Sequence, residues 1–88
     1  MDKNQIYWAA FDKWGLLIQL VVALEELSEC QKEICKMLRG KGNSEHLAEE
    51  IADARICLEQ LCLFYGLEDE VVKYKEAKLQ RLKERVEL

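Results

Sequence analysis

The stretch LEELSECQKEICKMLRGKGNSEHLAEEIAD, residues 24–53, predicts a helical hairpin that carries two acidic residues on the same face of each arm. The segment 40–43, Gly-Lys-Gly-Asn, is its strongest helix-stop signal. On both sides of that segment, apolar residues recur at the spacing of a helical stripe. The predicted core stripes are Leu20, Leu24, Leu27, Ile34 and Leu38 in the first arm and Leu47, Ile51, Ala54, Leu58 and Leu61 in the second.

Two further glycines, Gly15 and Gly66, divide the remaining sequence. The predicted helices span residues 3–14, 16–39, 44–65 and 68–86. Ser44 is the expected N-cap of the third helix, because its hydroxyl can accept a hydrogen bond from a free N–H of the first turn. The first helix carries a heavy aromatic load that favours packing over ligand contact, and the fourth has a thin apolar stripe. That stripe consists of Val71, Val72, Leu79, Leu82 and Val86.

The composition predicts a single all-α domain that covers residues 1–88. Half of the residues are apolar, four are glycine and none is proline, which favours long helices over sheet or disorder. A chain of this length buries only roughly 60–65% of the surface that its unfolded form exposes. We therefore expect a homodimer or homotetramer to complete the core.

The net charge and the N-terminal sequence predict the kind of partner and the cellular location. A net charge of −4 makes duplex nucleic acid an unexpected partner. The sequence opens without a basic region or a cleavage site for secretion, so a cytoplasmic location is expected. The longest apolar run, residues 16–24, is too short to span a membrane, and no membrane association is expected. Basic residues near the C-terminus nevertheless leave room for a local phosphate-binding face.

The cysteines and the one histidine do not form a recognisable metal motif. Cys30 and Cys35 lie five residues apart, as do Cys57 and Cys62, so on a helix the members of each pair point about 140° apart. We interpret all four as small buried hydrophobic residues. A di-iron bundle would need Glu-x-x-His motifs, whereas His46 stands alone and is expected on the surface.

Two acidic pairs carry the predicted chemistry. Glu26 and Glu29 are separated by three residues, and Glu50 and Asp53 repeat that spacing on the next helix. Each pair borders a predicted apolar stripe. Helices rich in glutamate often just present it to solvent, but the duplication on consecutive helices favours a shared site. Carboxylate oxygens suit Mg²⁺ or Mn²⁺, and Mg²⁺ is commonly shared between carboxylates and substrate phosphates. One or two ions could then activate water against a phosphoryl group.

The segments EELSE at 25–29 and EEIAD at 49–53 resemble the EExxE and EExxD motifs of the MazG-like all-α nucleoside triphosphate pyrophosphohydrolases, which are related to the all-α dUTPases and dCTP pyrophosphatases. The resemblance covers nearly the whole chain. Outside the two motifs it extends to Trp14, Gly15, Gln19, Gly66, Lys75, Lys78 and Arg81.

This resemblance implies a four-helix MazG-like bundle completed by dimerisation or tetramerisation. It also implies Mg²⁺-dependent hydrolysis of an NTP or dNTP to nucleoside monophosphate and pyrophosphate. The implied metal ligands are Glu26, Glu29, Glu50 and Asp53. Glu25 and Glu26 are the implied catalytic residues, with Glu25 the weaker candidate for orienting or deprotonating the water.

The same resemblance implies where the substrate binds. Lys78 and Arg81 would neutralise the triphosphate, while Trp14 and Gln19 would lie at the substrate. The last helix lacks the asparagine that many relatives carry near these basic residues, so base selectivity stays open. The alternative function is a non-catalytic helical module for dimerisation or nucleotide binding.

Overall fold

A computed structural model of residues 1–88 contains three helices and no strands. Helix α1 spans Lys3–Leu38, α2 spans Ser44–Tyr65 and α3 spans Glu68–Arg85. The all-α prediction is confirmed. The two helices predicted at 3–14 and 16–39 are the two segments of α1, which follow one another across a kink at the non-helical residue Gly15.

Gly15 breaks α1 through its backbone conformation. Its φ of +83° and ψ of 162° lie in a region that is essentially restricted to glycine. No atom lies within 4 Å of where a Cβ would stand, so the need for glycine comes from the dihedral angles alone. The break redirects the helix directly after Trp14 and so sets the direction of the aromatic N-terminal segment.

The cap of α2 differs from the prediction by one residue. Asn43 is the N-cap, and its Oδ1 accepts hydrogen bonds from the backbone N–H groups of Glu45 at 2.8 Å and His46 at 3.2 Å. Ser44 is already the first helical residue. An asparagine is at least as good an N-cap as serine, and here it satisfies two of the otherwise free N–H groups. His46 is exposed in this first turn, as predicted.

The hairpin of α1 and α2 packs through a different face from the predicted leucine stripe. Leu24 is 68% exposed and Leu38 is 84% exposed, so the stripe predicted as the core of the first arm is wrong for the single chain. Of the second predicted stripe, only Ala54 is fully buried. The buried residues are Tyr7, Phe11, Gln19, Ala23, Glu33, Ala54, Cys57 and Gln60.

The physical reason is that periodicity identifies an apolar stripe without identifying its partner. Small residues at Ala23 and Ala54 allow the two helices to approach closely. The hairpin thereby encloses polar groups between its arms and leaves the leucines on its outer surface.

Aromatic packing joins the start of α1 to the end of α2. The ring centroids of Phe11 and Phe64 lie 4.8 Å apart, and Trp8 lies 5.8 Å from Phe11 and 6.0 Å from Phe64. These separations are typical of favourable aromatic pairs. The predicted packing role is thus confirmed for Trp8 and Phe11, whereas Trp14 lies outside this cluster and is 50% exposed.

A hydrogen-bonded group next to this cluster also ties the helices together. The Tyr7 hydroxyl donates to Glu59 Oε2 at 2.6 Å, and Lys3 Nζ donates to the same oxygen at 3.2 Å. The hydrogen bond to Glu59, followed by burial, raises the pKa of Tyr7 to about 12. The hydrogen bonds from Tyr7 and then Lys3 lower the pKa of Glu59.

We expect Tyr7→Phe to lower the free energy of unfolding by about 1 kcal/mol, less than the roughly 1.5–3 kcal/mol of a buried hydrogen bond to a charged group, because the Glu59 side chain is 45% exposed. The lowered pKa of Glu59 means that this stabilisation exists above its ordinary value of 4.5 and is lost as pH falls through the folded-state pKa. Because the pKa of Tyr7 is raised from 10.0 to about 12, the stabilisation by this hydrogen bond is retained up to about pH 10 and is lost as the pH rises further. Urea denaturation at pH 4 and pH 7 measures the difference, and an equal loss at both values would contradict it.

Helix α3 packs only against the end of α2 and has no buried residue. It begins with Glu68, Asp69 and Glu70 and ends with basic residues, which suits the helix dipole. Its predicted apolar stripe is present, but every member is 45–56% exposed. A single chain is therefore a hairpin with an additional helix, and α3 makes no packing contact with α1.

Helix α1 is long and apolar enough to cross a membrane by length and composition alone, because an 18-residue window has a mean hydropathy of 1.3. Core helices of soluble proteins and signal sequences meet the same criterion. Here the polar side chains of Gln19 and Glu33 lie buried on its face towards α2.

Candidate functional site

Three carboxylates from the two arms of the hairpin converge on one point. One oxygen from each of Glu26, Glu50 and Asp53 lies within 4.8 Å of the others. Glu26 projects from α1, and Glu50 and Asp53 project from successive turns of α2. Ala23, three residues before Glu26, and Ala54, directly after Asp53, are both buried. We call these three residues the acidic triad.

The electrostatics of the acidic triad are unfavourable without a cation. Burial, followed by the charge of Asp53, raises the pKa of Glu26. Burial, followed by the charges of Asp53 and Glu29, raises the pKa of Glu50. Each raised pKa means that the fold holds the ionised carboxylate at a cost, which a bound cation would offset.

One oxygen of this triad has no partner in the protein. Glu50 Oε2 is fully enclosed and accepts no hydrogen bond, and it is the only such side-chain oxygen or nitrogen in the chain. Buried carboxylate oxygens are normally hydrogen-bonded or bound to a metal. The orphaned oxygen, the all-oxygen donor set and the close spacing together fit a hard divalent cation such as Mg²⁺.

The other two predicted acidic residues lie beside the triad. Glu29, predicted as a metal ligand, is exposed and is not one of the three convergent groups, although its charge raises the pKa of Glu50. Glu25 is also exposed, and its charge contributes to the raised pKa of Glu26.

Glu33 is a site residue that the motif-based reasoning missed. It is buried, and its charge also raises the pKa of Glu50. Lys36 Nζ lies 3.1 Å from Glu33 Oε1, which partly neutralises it. The signal was present in the sequence, because Glu33 lies four residues after Glu29 and seven after Glu26 and so shares their helix face.

A cavity of about 450 Å³ opens next to the triad, and Glu26 and Asp53 form part of its wall. Trp14 and Gln19, both predicted to contact substrate, also line this cavity. Gln60 and several apolar side chains complete it. Its volume falls within the range of small-molecule sites, and its mixture of apolar walls and a few polar groups is typical of them.

The predicted basic residues lie elsewhere in the single chain. Lys78 and Arg81 line a shared surface depression on α3, to which Arg85 also contributes. Because α3 does not contact α1, this surface is not brought to the acidic triad within one chain.

The four cysteines are unpaired, and the predicted burial holds fully only for Cys57. Cys57 lines the cavity, and burial, followed by the charges of Glu26 and Asp53, raises the pKa of its thiol. A neutral thiol at this position acts as a small apolar wall group.

Comparison of the chain with protein-family models, with curated proteins and with solved structures gave no match. Function is therefore inferred from the chemistry of the site. Three convergent carboxylates beside a largely apolar cavity are suited to holding a divalent cation against the phosphate groups of a ligand whose remaining part occupies that cavity.

Proposed function

We propose that this chain is a cytoplasmic, Mg²⁺-dependent nucleoside triphosphate pyrophosphohydrolase of the MazG-like kind, which converts an NTP or dNTP to nucleoside monophosphate and pyrophosphate. The observation that carries the proposal is the acidic triad, with the orphaned Glu50 Oε2, at the wall of a cavity of about 450 Å³. The motifs EELSE and EEIAD supply all of its acidic residues.

Glu26, Glu50 and Asp53 would hold the cation, and Glu29, whose charge acts on Glu50, would be a further ligand only if its side chain turned towards the triad. Mn²⁺ should substitute for Mg²⁺, because both accept carboxylate oxygens. The ion would polarise the phosphate and make water more acidic. Oε2 of Glu50 is enclosed and has no hydrogen-bond partner, so a bound cation would supply the partner that this oxygen lacks.

In the proposed reaction, a carboxylate of the chain accepts the proton of the attacking water. Water oxygen bonds to the α-phosphorus, the bond from that phosphorus to the bridging oxygen breaks, and pyrophosphate leaves with the bonding electrons. Glu25 follows from the motif as the candidate that would orient the water and accept its proton; it precedes Glu26 in the sequence and is exposed to solvent. Glu26 holds the geometry from inside the triad.

Lys78 and Arg81 supply positive charge for the triphosphate in this proposal. Since α3 lies away from α1 within one chain, a second copy is the natural source of these cations. The unpartnered apolar stripe of α3 and the exposed leucines of α1 supply the surface for such an assembly, a homodimer or homotetramer.

We expect the protein to migrate as at least twice the 10.3 kDa mass of one chain. Leu79 lies in an apolar groove of α3 with Val71 and Leu82, so Leu79→Glu should place a charge in the interface and produce monomers. Gln80→Glu adds the same charge outside that groove and should leave the oligomer intact. Light scattering coupled to size exclusion measures both. A monomeric parent protein would rule out the assembly.

The function is tested by incubating the purified protein with a panel of NTPs and dNTPs and Mg²⁺, with product identification by ³¹P NMR. Monophosphate and pyrophosphate should appear in equal amounts, and a chelator should abolish the reaction. Release of inorganic phosphate with diphosphate, or no turnover of any nucleotide, would overturn the proposal.

A further inference from the structure

Two buried glutamines, one from each arm of the hairpin, line the cavity beside the acidic triad. Gln19 of α1 is 8% exposed and Gln60 of α2 is 9% exposed, and both line the cavity beside the acidic triad. Neither side-chain amide makes a hydrogen bond within the chain.

These amides are not sealed inside the protein. The only fully enclosed unpartnered polar atom is Glu50 Oε2, so the amide groups of the two glutamines open onto the cavity that they line. A glutamine that is more than nine-tenths buried without a protein partner is costly unless it meets water or a ligand. Two of them, one from each arm, present donors and acceptors to the same space.

The rest of the cavity wall defines the shape of the ligand. Trp14, Ile18 and Ile56 offer flat or branched apolar surfaces. Trp14 is half exposed, and Lys13 Nζ lies 5.2 Å from its ring centroid, so a base would stack on the ring face away from Lys13. A ligand that matches this wall has an apolar planar face and a hydrogen-bonding edge, which is the description of a nucleobase.

We infer that Gln19 and Gln60 read the hydrogen-bonding edge of a nucleobase that stacks on Trp14. A carboxamide offers one acceptor and one donor side by side and therefore matches a base edge that presents a donor next to an acceptor. The inference rests on the proposed function for the phosphate end of the same ligand: Glu26 and Asp53 line the other part of the cavity wall. The two glutamines thus determine specificity, and the triad holds the phosphates.

The binding test requires neither metal nor turnover. In a Trp8→Phe background, Trp14 is the only tryptophan, and its fluorescence is titrated with the common nucleosides and with ribose. Nucleosides should quench it saturably and ribose should not. Gln60→Leu and Gln19→Leu, which keep the size and remove the amide, should each weaken binding about tenfold. Gln31→Leu, at an exposed position of α1, should have no effect.

A modified nucleoside tests the same contact without changing the protein, so the result does not depend on whether the glutamine variants fold. The best-binding nucleoside is compared with its ring-N-methylated derivative, which has lost a donor or acceptor of the base edge. Both are titrated into the protein that keeps Gln19 and Gln60. The derivative should bind about tenfold more weakly. Equal affinity for the two, or quenching that is the same in Gln60→Leu and the parent, would overturn the inference.

The turnover assay separates this inference from the proposed function. Inorganic tripolyphosphate, which has no base, should be hydrolysed equally by the parent and by Gln60→Leu, whereas turnover of the best nucleotide should fall about tenfold in kcat/KM. If nucleotides are hydrolysed but Gln60→Leu has the same kcat/KM for the best nucleotide as the parent, the inference fails and the hydrolase stands. If nucleosides bind through the glutamines but no nucleotide is hydrolysed, the inference stands and the hydrolase fails.

Discussion

Replacement of Glu50 by glutamine is expected to lower kcat/KM for nucleotide hydrolysis by about 10³-fold or more. Glu50 supplies the enclosed oxygen that has no protein partner, and glutamine removes its charge at almost constant volume. Loss of a metal ligand removes several kcal/mol of transition-state stabilisation, and about 1.4 kcal/mol corresponds to a factor of ten. Steady-state kinetics with saturating Mg²⁺ measure the effect.

The matched control is Glu49→Gln. Glu49 precedes Glu50 on the same helix, is exposed and lies outside the acidic triad, so the variant makes the same change in net charge. It should keep activity within about threefold of the parent, as is usual for a surface substitution. Similar losses in the two variants would show that net charge, and not the triad, controls the rate.

The second large effect is that of Glu50→Gln on thermal stability. We expect this effect to change from stabilising to destabilising when Mg²⁺ is added. Without metal, Glu50→Gln should raise the thermal midpoint at pH 7, because it removes a carboxylate whose pKa is raised by burial and by the charges of Asp53 and Glu29. With Mg²⁺ at about 100 times its dissociation constant, the parent should gain about 2.7 kcal/mol, or roughly 10–20 °C. The variant should gain almost nothing and become the less stable protein.

The pH dependence follows from the direction of the shifts. Glu26 and Glu50 have raised pKa values in the folded state, so their favourable contribution is complete below the ordinary value of 4.5 and is lost as pH rises through the folded-state values. The gap between Glu50→Gln and the metal-free parent should therefore widen from pH 4 to pH 7. Scanning calorimetry in a chelating buffer measures it, and a gap that is constant with pH would contradict the electrostatic explanation.

Local signals in the sequence were sufficient to predict the helices. Gly66 ends α2 in the left-handed conformation, and the segment 40–43 forms the loop before it, so the predicted 44–65 agrees with the observed Ser44–Tyr65. Gly15 marks the break in α1, although the chain continues as a helix on both sides. Such signals act over a few residues and need no tertiary information.

The packing face could not be predicted in the same way. Leu24 and Leu58 belong to regular apolar stripes, yet both are largely exposed, while Gln19 and Gln60 are buried. A stripe is equally compatible with an intrachain and an interchain partner. The choice depends on how closely the helices approach each other, which small residues such as Ala23 decide and hydrophobicity does not.

The acidic site was partly predictable for a related reason. The i, i+3 spacing placed Glu50 and Asp53 on one face of α2, and these two meet Glu26 in the structure. Glu29, at the same spacing from Glu26, is exposed and is not one of the convergent groups, and which of the two faces α2 depends on packing between residues distant in sequence. Gln60 carries no motif, and only its position opposite Gln19 identifies it.

The most direct test of the central claim is an anomalous-scattering map of crystals grown with Mn²⁺. A divalent ion should give a peak within coordination distance of carboxylate oxygens of Glu26, Glu50 and Asp53, with Glu50 Oε2 among the ligands, and the peak should vanish in Glu50→Gln crystals. A parent crystal with no peak between these three residues, or with an unchanged peak in the variant, would contradict the account.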